Sequence, residues 1–232
     1  TVRASLPSVL TESQPLMPMR TTTDRALIRS RFLAVDVANV ADVLDDLGHR
    51  DQALATDFTC AAGRERLAGW AFTISGAMSA APGRDPLKAQ ACSQIGPDEV
   101  SVWQGNGRGV CYFGELVAIG MMQRGSVGAV VDGGVRDKRW LHEIGFTTFS
   151  RYPTSVQTSG RWRVETWQQP VTLPGHELLA VAGDVQHDVL AADAVLTCGR
   201  LHGLDAVTHP GGRRARRPGT RGHPAPAAVI SL

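Results

Sequence analysis

No run of about 18 apolar residues occurs in this chain, so no stretch reads as a helix long enough to span a bilayer. The opening TVRASLPSVLTESQPLMPMR also lacks the continuous apolar centre of a secretory signal. Charge of one sign is missing too. Lys and Arg total 24 against 22 Asp and Glu, a formal net charge of +2, which gives no global electrostatic case for nucleic acid. Cysteine is sparse: Cys60, Cys92, Cys111 and Cys198 form no CxxC pair and fit no zinc spacing. They read as reduced thiols of a cytoplasmic protein. The seven histidines are scattered, without HxH or HExxH, which argues against a histidine-rich metal site.

What is present suffices for one sizeable core, with 43% hydrophobic residues in 232. Residues 1–24 are rich in Ser, Thr and Pro without periodicity and read as a mobile leader. In VDVANVADVLDDLG, residues Val37, Val40, Val43, Leu44 and Leu47 fall near helical spacing, with Asp36 as a cap and Gly48 as a stop. LAGWAFTISGAM alternates as a strand, and DEVSVWQG reads as another. Leu116, Ile119 and Met122 mark a helix in GELVAIGMMQRG, ended by Gly125. The β-branched run Val127–Val131 predicts a strand covered on both faces. A turn at Asp132-Gly133-Gly134, a helix in RDKRWLHEIG and a strand in FTTFS follow. This order predicts an α/β domain over 25–198 with parallel pairing. Residues 199–232 turn Arg-, Gly- and Pro-rich without any period. They read as a disordered basic tail, with an RNA-binding tail and an out-of-frame translation as the other readings.

Two glycine-bounded segments bear on chemistry. Gly114, Glu115, Leu116 and Val117 open a helix, where backbone N–H groups lack intrahelical partners and the dipole favours an anion. The alternative is an ordinary capped helix with Glu115 favourably near the dipole. At the carboxyl end of the Val127–Val131 strand, Arg136 offers a planar fork for a carboxylate or enolate oxygen. Asp137 offers a hard oxygen to Mg²⁺ or Mn²⁺, which keep several waters and need few protein carboxylates. Here the alternative is that Asp137 caps the next helix and Arg136 is solvated.

The joint pattern YFGELVAIGMMQRGSVGAVVDGGVRD resembles the signature of the RraA-like family. That family includes regulators of ribonuclease E activity and class II 4-hydroxy-4-methyl-2-oxoglutarate aldolases. The similarity runs from about Val35 to Asp184, through VADVLDDLG, LAGWAFTI, QPVTLPG and AGD, after which GDVQHDVLAADAVLTCG follows the family poorly and the tail does not follow it. The resemblance implies a single layered domain of mixed sheet with flanking helices, of the swivelling β/β/α type. It implies a homo-oligomer, trimer or hexamer, and a metal-dependent lyase acting on 2-oxo acids that yield pyruvate. The backbone of Gly114, Glu115, Leu116 and Val117 would bind the pyruvyl carboxylate. Arg136 would bind the keto-acid portion and stabilise the enolate. Asp137 would hold the metal, Mg²⁺ or Mn²⁺, and Glu115 would orient a water that moves protons. The other implied role is a non-catalytic protein that binds and inhibits an RNA-processing enzyme. Few lysines are present, and this chemistry needs no Schiff base.

Overall fold

The computed structural model describes residues 22–48, 53–106, 109–174, 176–180 and 229–231. In chain order the helices are α1 (Thr22–Ala34), α2 (Val37–Leu47), α3 (Pro86–Gln94), α4 (Glu115–Met122) and α5 (Lys138–Glu143). The strands are β1 (Thr59–Ala62), β2 (Ala68–Met78), β3 (Glu99–Gln104), β4 (Cys111–Phe113) and β5 (Gly128–Val135). They continue as β6 (Thr147–Pro153), β7 (Trp162–Trp167), β8 (Val171–Leu173), β9 (His176–Ala180) and β10 (Val229–Ser231).

An eight-stranded mixed sheet has the path β1-β6-β5-β3-β2-β10, with β4 also on β5 and β7 also on β2. The pairs β2–β3, β3–β5, β4–β5 and β5–β6 are parallel, as the alternating helix and strand pattern predicts. The remaining pairs are antiparallel. A separate antiparallel pair, β8–β9, forms a smaller sheet.

Both faces of the main sheet are covered, which is why β5 is buried along its whole length. On one face Phe72, Ile74, Trp103, Ala129 and Val131 pack with Ala91 of α3, Ala118 and Met121 of α4, and Leu141 of α5. On the other, Val100, Val102 and Val130 pack with Leu54, Phe58 and the β8 residues Val171 and Leu173. The result is a β/β/α layering.

Several expectations need correction. The Asp132-Gly133-Gly134 turn is absent: β5 runs straight through these residues to Val135, with a register irregularity between Val131 and Gly134. Gly133 is required by φ +147° and by the Tyr112 ring, which a Cβ would approach to 2.2 Å. Asp36 sits at the start of α2 but makes no side-chain cap bond; its carboxylate instead accepts from Arg66. Gly48 does end α2 in the left-handed conformation. Helix α1 begins at Thr22, inside the stretch read as a leader, and docks through Arg29 Nε, which donates to Ala68 O at 2.8 Å. The rest of that leader, and the tail apart from Val229–Ser231, lie outside the described residues. Those three tail residues pair with β2.

Candidate functional site

One hydrogen bond and three aromatic contacts fix strand β4, and with it the start of α4. Tyr112 donates its hydroxyl to Gly105 O at 2.6 Å and packs edge-on to Trp162 at 5.0 Å. Phe113 stacks on Phe146 at 5.8 Å and meets Trp103 edge-on at 5.9 Å. Because β4 pairs with the last residues of β5, its end lies at the carboxyl end of the parallel strands. Gly114 follows in extended conformation, and α4 begins at Glu115.

The first intrahelical bond of α4 runs from Ala118 N to Gly114 O at 3.0 Å, so the amides of Glu115, Leu116 and Val117 precede the helical ladder. Glu115 N donates to Asp137 Oδ2 at 3.4 Å. Arg136 Nε lies 3.3 Å from the same Asp137 oxygen, and Arg136 N donates to Phe113 O at 3.1 Å. A Cβ on Gly114 would stand 2.8 Å from Asp137 Oδ2 and 3.0 Å from Arg136 Cγ. The two glycine-bounded segments, distant in sequence, are therefore in contact at one point. Asp137 has φ +57°, the left-handed region, which costs a non-glycine residue on the order of 1 kcal/mol. It caps α5 by position only, without a side-chain cap bond. Its carboxylate faces α4 instead.

Leu116, Val117, Gly114 and Arg136 line a cleft of about 840 Å³. Asp137 lies on an adjoining depression of about 520 Å³ that it shares with Arg136, Thr154 and Ser155. Arg136 borders both. The Glu115 side chain is half-buried and lines neither. Among the described residues no group of three or more His, Cys, Asp or Glu side chains gathers to hold a metal. One carboxylate, 35% exposed and beside an open depression, fits a cation that keeps most of its water, such as Mg²⁺ or Mn²⁺. It does not fit zinc, which takes three or four protein ligands.

Asp132, the first acid of the DGGVRD stretch, is not part of this arrangement. It is 1% exposed, accepts from Asn106 N at 2.8 Å, and pairs with Arg151 at 3.0 Å. Burial pushes its carboxyl up, while Arg151 and the Asn106 amide pull it back. It holds the loop after β3.

The opposite wall of the cleft comes from α3 and the β7 region, which the sequence reading passed over. There Lys88 Nζ donates to Tyr112 O at 2.5 Å and lies 5.1 Å from the Trp103 ring centroid. Burial holds this ammonium below the ordinary lysine range. The signal for α3 was present: Asp85 accepts from Lys88 N at 3.1 Å, with Pro86 at the first helical position.

Parallel strands whose carboxyl ends present a helix start, a guanidinium and a lone carboxylate define a layered α/β protein with a candidate site at that end of the sheet. A model of the RraA-like family, described as Aldolase/RraA, matches residues 37–194, and the chain belongs to that family. Solved structures share the fold at low identity. One, titled as novel cellulases from microbes associated with the gut ecosystem, is 21% identical with a TM-score of 0.65, covering 74% of this chain and 76% of its own. Streptomyces coelicolor RraAS2, titled an unusual member of the RNase ES inhibitor RraA family, is 22% identical with a TM-score of 0.59, covering 68% and 78%. A Geobacillus kaustophilus protein titled S-adenosylmethionine:2-dimethylmenaquinone methyltransferase is 20% identical with a TM-score of 0.50, covering 64% and 86%. The activities these proteins are named for differ while the fold persists, so the fold does not choose among them.

Proposed function

We propose that this protein is a divalent-metal-dependent lyase that cleaves 4-hydroxy-4-methyl-2-oxoglutarate-type acids to pyruvate and also decarboxylates oxaloacetate. The observation that supports this reading is the convergence of Gly114, the Glu115 amide, Arg136 and Asp137 within hydrogen-bond or ion-pair reach. Retro-aldol cleavage breaks the C3–C4 bond and leaves its electron pair on pyruvate enolate, while the C4 hydroxyl loses its proton as the ketone forms. The α4 amides, which have no intrahelical partners, bind the substrate carboxylate. The Arg136 guanidinium binds the keto-acid portion and stabilises the oxygen on which charge accumulates. Asp137 would hold Mg²⁺ or Mn²⁺, which when bound would supply Lewis-acid polarisation of the keto oxygen. Glu115 orients a water that takes the proton of the C4 hydroxyl and returns one to C3 of the enolate. Oxaloacetate loses CO₂ to give the same enolate, so one site serves both reactions.

No helix among the described residues is long and apolar enough to cross a membrane. We place the protein in the cytoplasm as a homo-oligomer, trimer or hexamer, acting on small 2-oxo acids rather than nucleic acid. The test is pyruvate release from oxaloacetate with Mg²⁺, with and without chelator. Wild type releases pyruvate only with metal, and Arg136→Ala loses at least 100-fold in kcat/KM, in line with removal of an oxyanion donor. A folded wild type that releases none supports the other family role, binding and inhibition of an RNA-processing enzyme.

A further inference from the structure

The cleft beside Arg136 is larger than a pyruvyl group needs, and its charge is one-sided. Arg84, Lys88, Arg124, Arg136 and Arg163 line it against a single carboxylate, Asp85. That carboxylate is already engaged by two backbone amides, Lys88 N at 3.1 Å and Val164 N at 2.9 Å. Arg124 and Arg163 are turned onto backbone carbonyls of Ser93, Gly120, Ala81 and Pro82. Lys88 is different in kind. Its side chain is half-buried, and Nζ carries three donors, one of them used on Tyr112 O; no carboxylate of the described residues forms an ion pair with it. Lone buried ammonium groups are costly, and proteins pair them or neutralise them. Trp162 lines the same cleft, 2% exposed, but its indole Nε1 is enclosed in the core and does not open onto the cleft. An ammonium with unused N–H bonds on the cleft wall asks for an acceptor that the described residues do not supply.

Its place relative to the proposed pyruvyl subsite follows from the strand. Lys88 Nζ sits on the carbonyl of Tyr112, and the chain is extended from Tyr112 to Gly114. Two extended residues advance roughly 7 Å. A short 2-oxo diacid with one carboxylate at the α4 amides bridges that gap.

We propose that Lys88 is the specificity-determining subsite for the distal carboxylate of the substrate, so that the cleft selects 2-oxo diacids over monoacids. This deepens the lyase reading and rests on it. Lys88 forms no bond to the substrate carbon; it anchors the half that departs as the second ketone. The anchoring is worth the usual increment of a charge-assisted hydrogen bond, about 10- to 100-fold in binding.

The test compares 4-hydroxy-4-methyl-2-oxoglutarate with 4-hydroxy-4-methyl-2-oxopentanoate, which share the scissile bond and differ by a carboxylate against a methyl. The readout is the ratio of their kcat/KM values, in which the intrinsic difference between leaving ketones cancels from variant to variant. Lys88→Met lowers the diacid-to-monoacid ratio 10- to 100-fold, chiefly through KM for the diacid. Lys88→Arg, which keeps the charge, holds the ratio within about threefold of wild type and supplies the reading should Lys88→Met fold poorly. A purely structural Lys88 changes both substrates together and leaves the ratio fixed in Lys88→Met; that result overturns the proposal. So does a pyruvate adduct on Lys88 trapped by borohydride in wild type, which makes the amine a covalent catalyst instead. Wild type that releases pyruvate from neither substrate with Mg²⁺ refutes the lyase reading itself and this subsite with it. Turnover of both with an unchanged ratio in Lys88→Met refutes the subsite alone.

Discussion

Gly114→Ala separates the site from the fold. The backbone at Gly114 is extended, φ −167° and ψ −172°, a conformation any residue adopts, so the substitution brings no backbone strain. What it brings is a methyl group 2.8 Å from Asp137 Oδ2, 0.6 Å short of the 3.4 Å at which ordinary contact begins. Arg136 Cγ at 3.0 Å is 0.4 Å short. Both neighbours are side chains and both yield, but their main chains do not follow: Arg136 N is tied to Phe113 O, and Asp137 is already held at φ +57°. The carboxylate and guanidinium therefore shift by about half an ångström relative to the α4 amides. A misplacement of about 1 Å costs on the order of 100-fold in rate, so the expected loss in kcat/KM for oxaloacetate is about 10- to 100-fold. That equals about 1.4 to 2.7 kcal/mol of transition-state stabilisation. Stability changes little. Alanine is a poorer helix cap than glycine by up to about 1 kcal/mol, a fall of about 2–4 °C in Tm for a domain of this size. Gly114→Ser adds the same Cβ with a capping hydroxyl; it shows the same catalytic loss and a smaller thermal one. Mn²⁺ affinity, read by water-proton relaxation, weakens in both. A soluble, folded Gly114→Ala with wild-type turnover and wild-type Mn²⁺ affinity refutes the placement of the site at this junction.

Asp137→Asn keeps a residue that tolerates the left-handed region and removes only the charge, so it abolishes the Mg²⁺ dependence of pyruvate release with little change in Tm. Retained metal-stimulated activity means another group holds the cation. Cys92 lines the cleft, yet burial pushes its thiol up to about 11. At pH 8 about one molecule in a thousand carries the thiolate, so iodoacetamide labelling of the Cys92 peptide is slow and rises about tenfold per pH unit toward pH 11. Rapid labelling at pH 7 contradicts that environment. Lys88→Met relieves a desolvated ammonium that has no ion-pair partner among the described residues, and its Tm at pH 7 equals or exceeds that of wild type. The sign follows from the lowered folded-state pKa. The unfolded chain holds this proton more tightly, so the native charge opposes folding at neutral pH, and the penalty fades as pH rises toward the unfolded lysine range. A large fall in Tm assigns Lys88 a structural role.

The site junction was readable in the sequence because each half is local. An unpaired run of amides at a helix start and an Arg-Asp pair at a strand end both follow from nearest neighbours along the chain. The glycines of DGGVRD were not readable in the same way. Glycine serves a turn and a close approach equally well, and only the Tyr112 ring against Gly133 decides for the second. Helix α3 escaped for a related reason. Its sequence PLKAQACSQ buries Ala91 and has no apolar stripe, so periodicity is silent and only the Asp85-Pro86 start speaks for it. The cleft is harder still, because its walls come from α3, the β4–α4 junction and the start of β7. Asp85 shows how they are joined: one oxygen caps α3 at Lys88 N, the other accepts from Val164 N on β7. A single side chain thus fixes the helix that carries Lys88 to the strand that carries Trp162. The chemistry near Arg136 and Asp137 can be inferred from a motif, whereas the choice of substrate depends on contacts between segments that no spacing along the chain brings together.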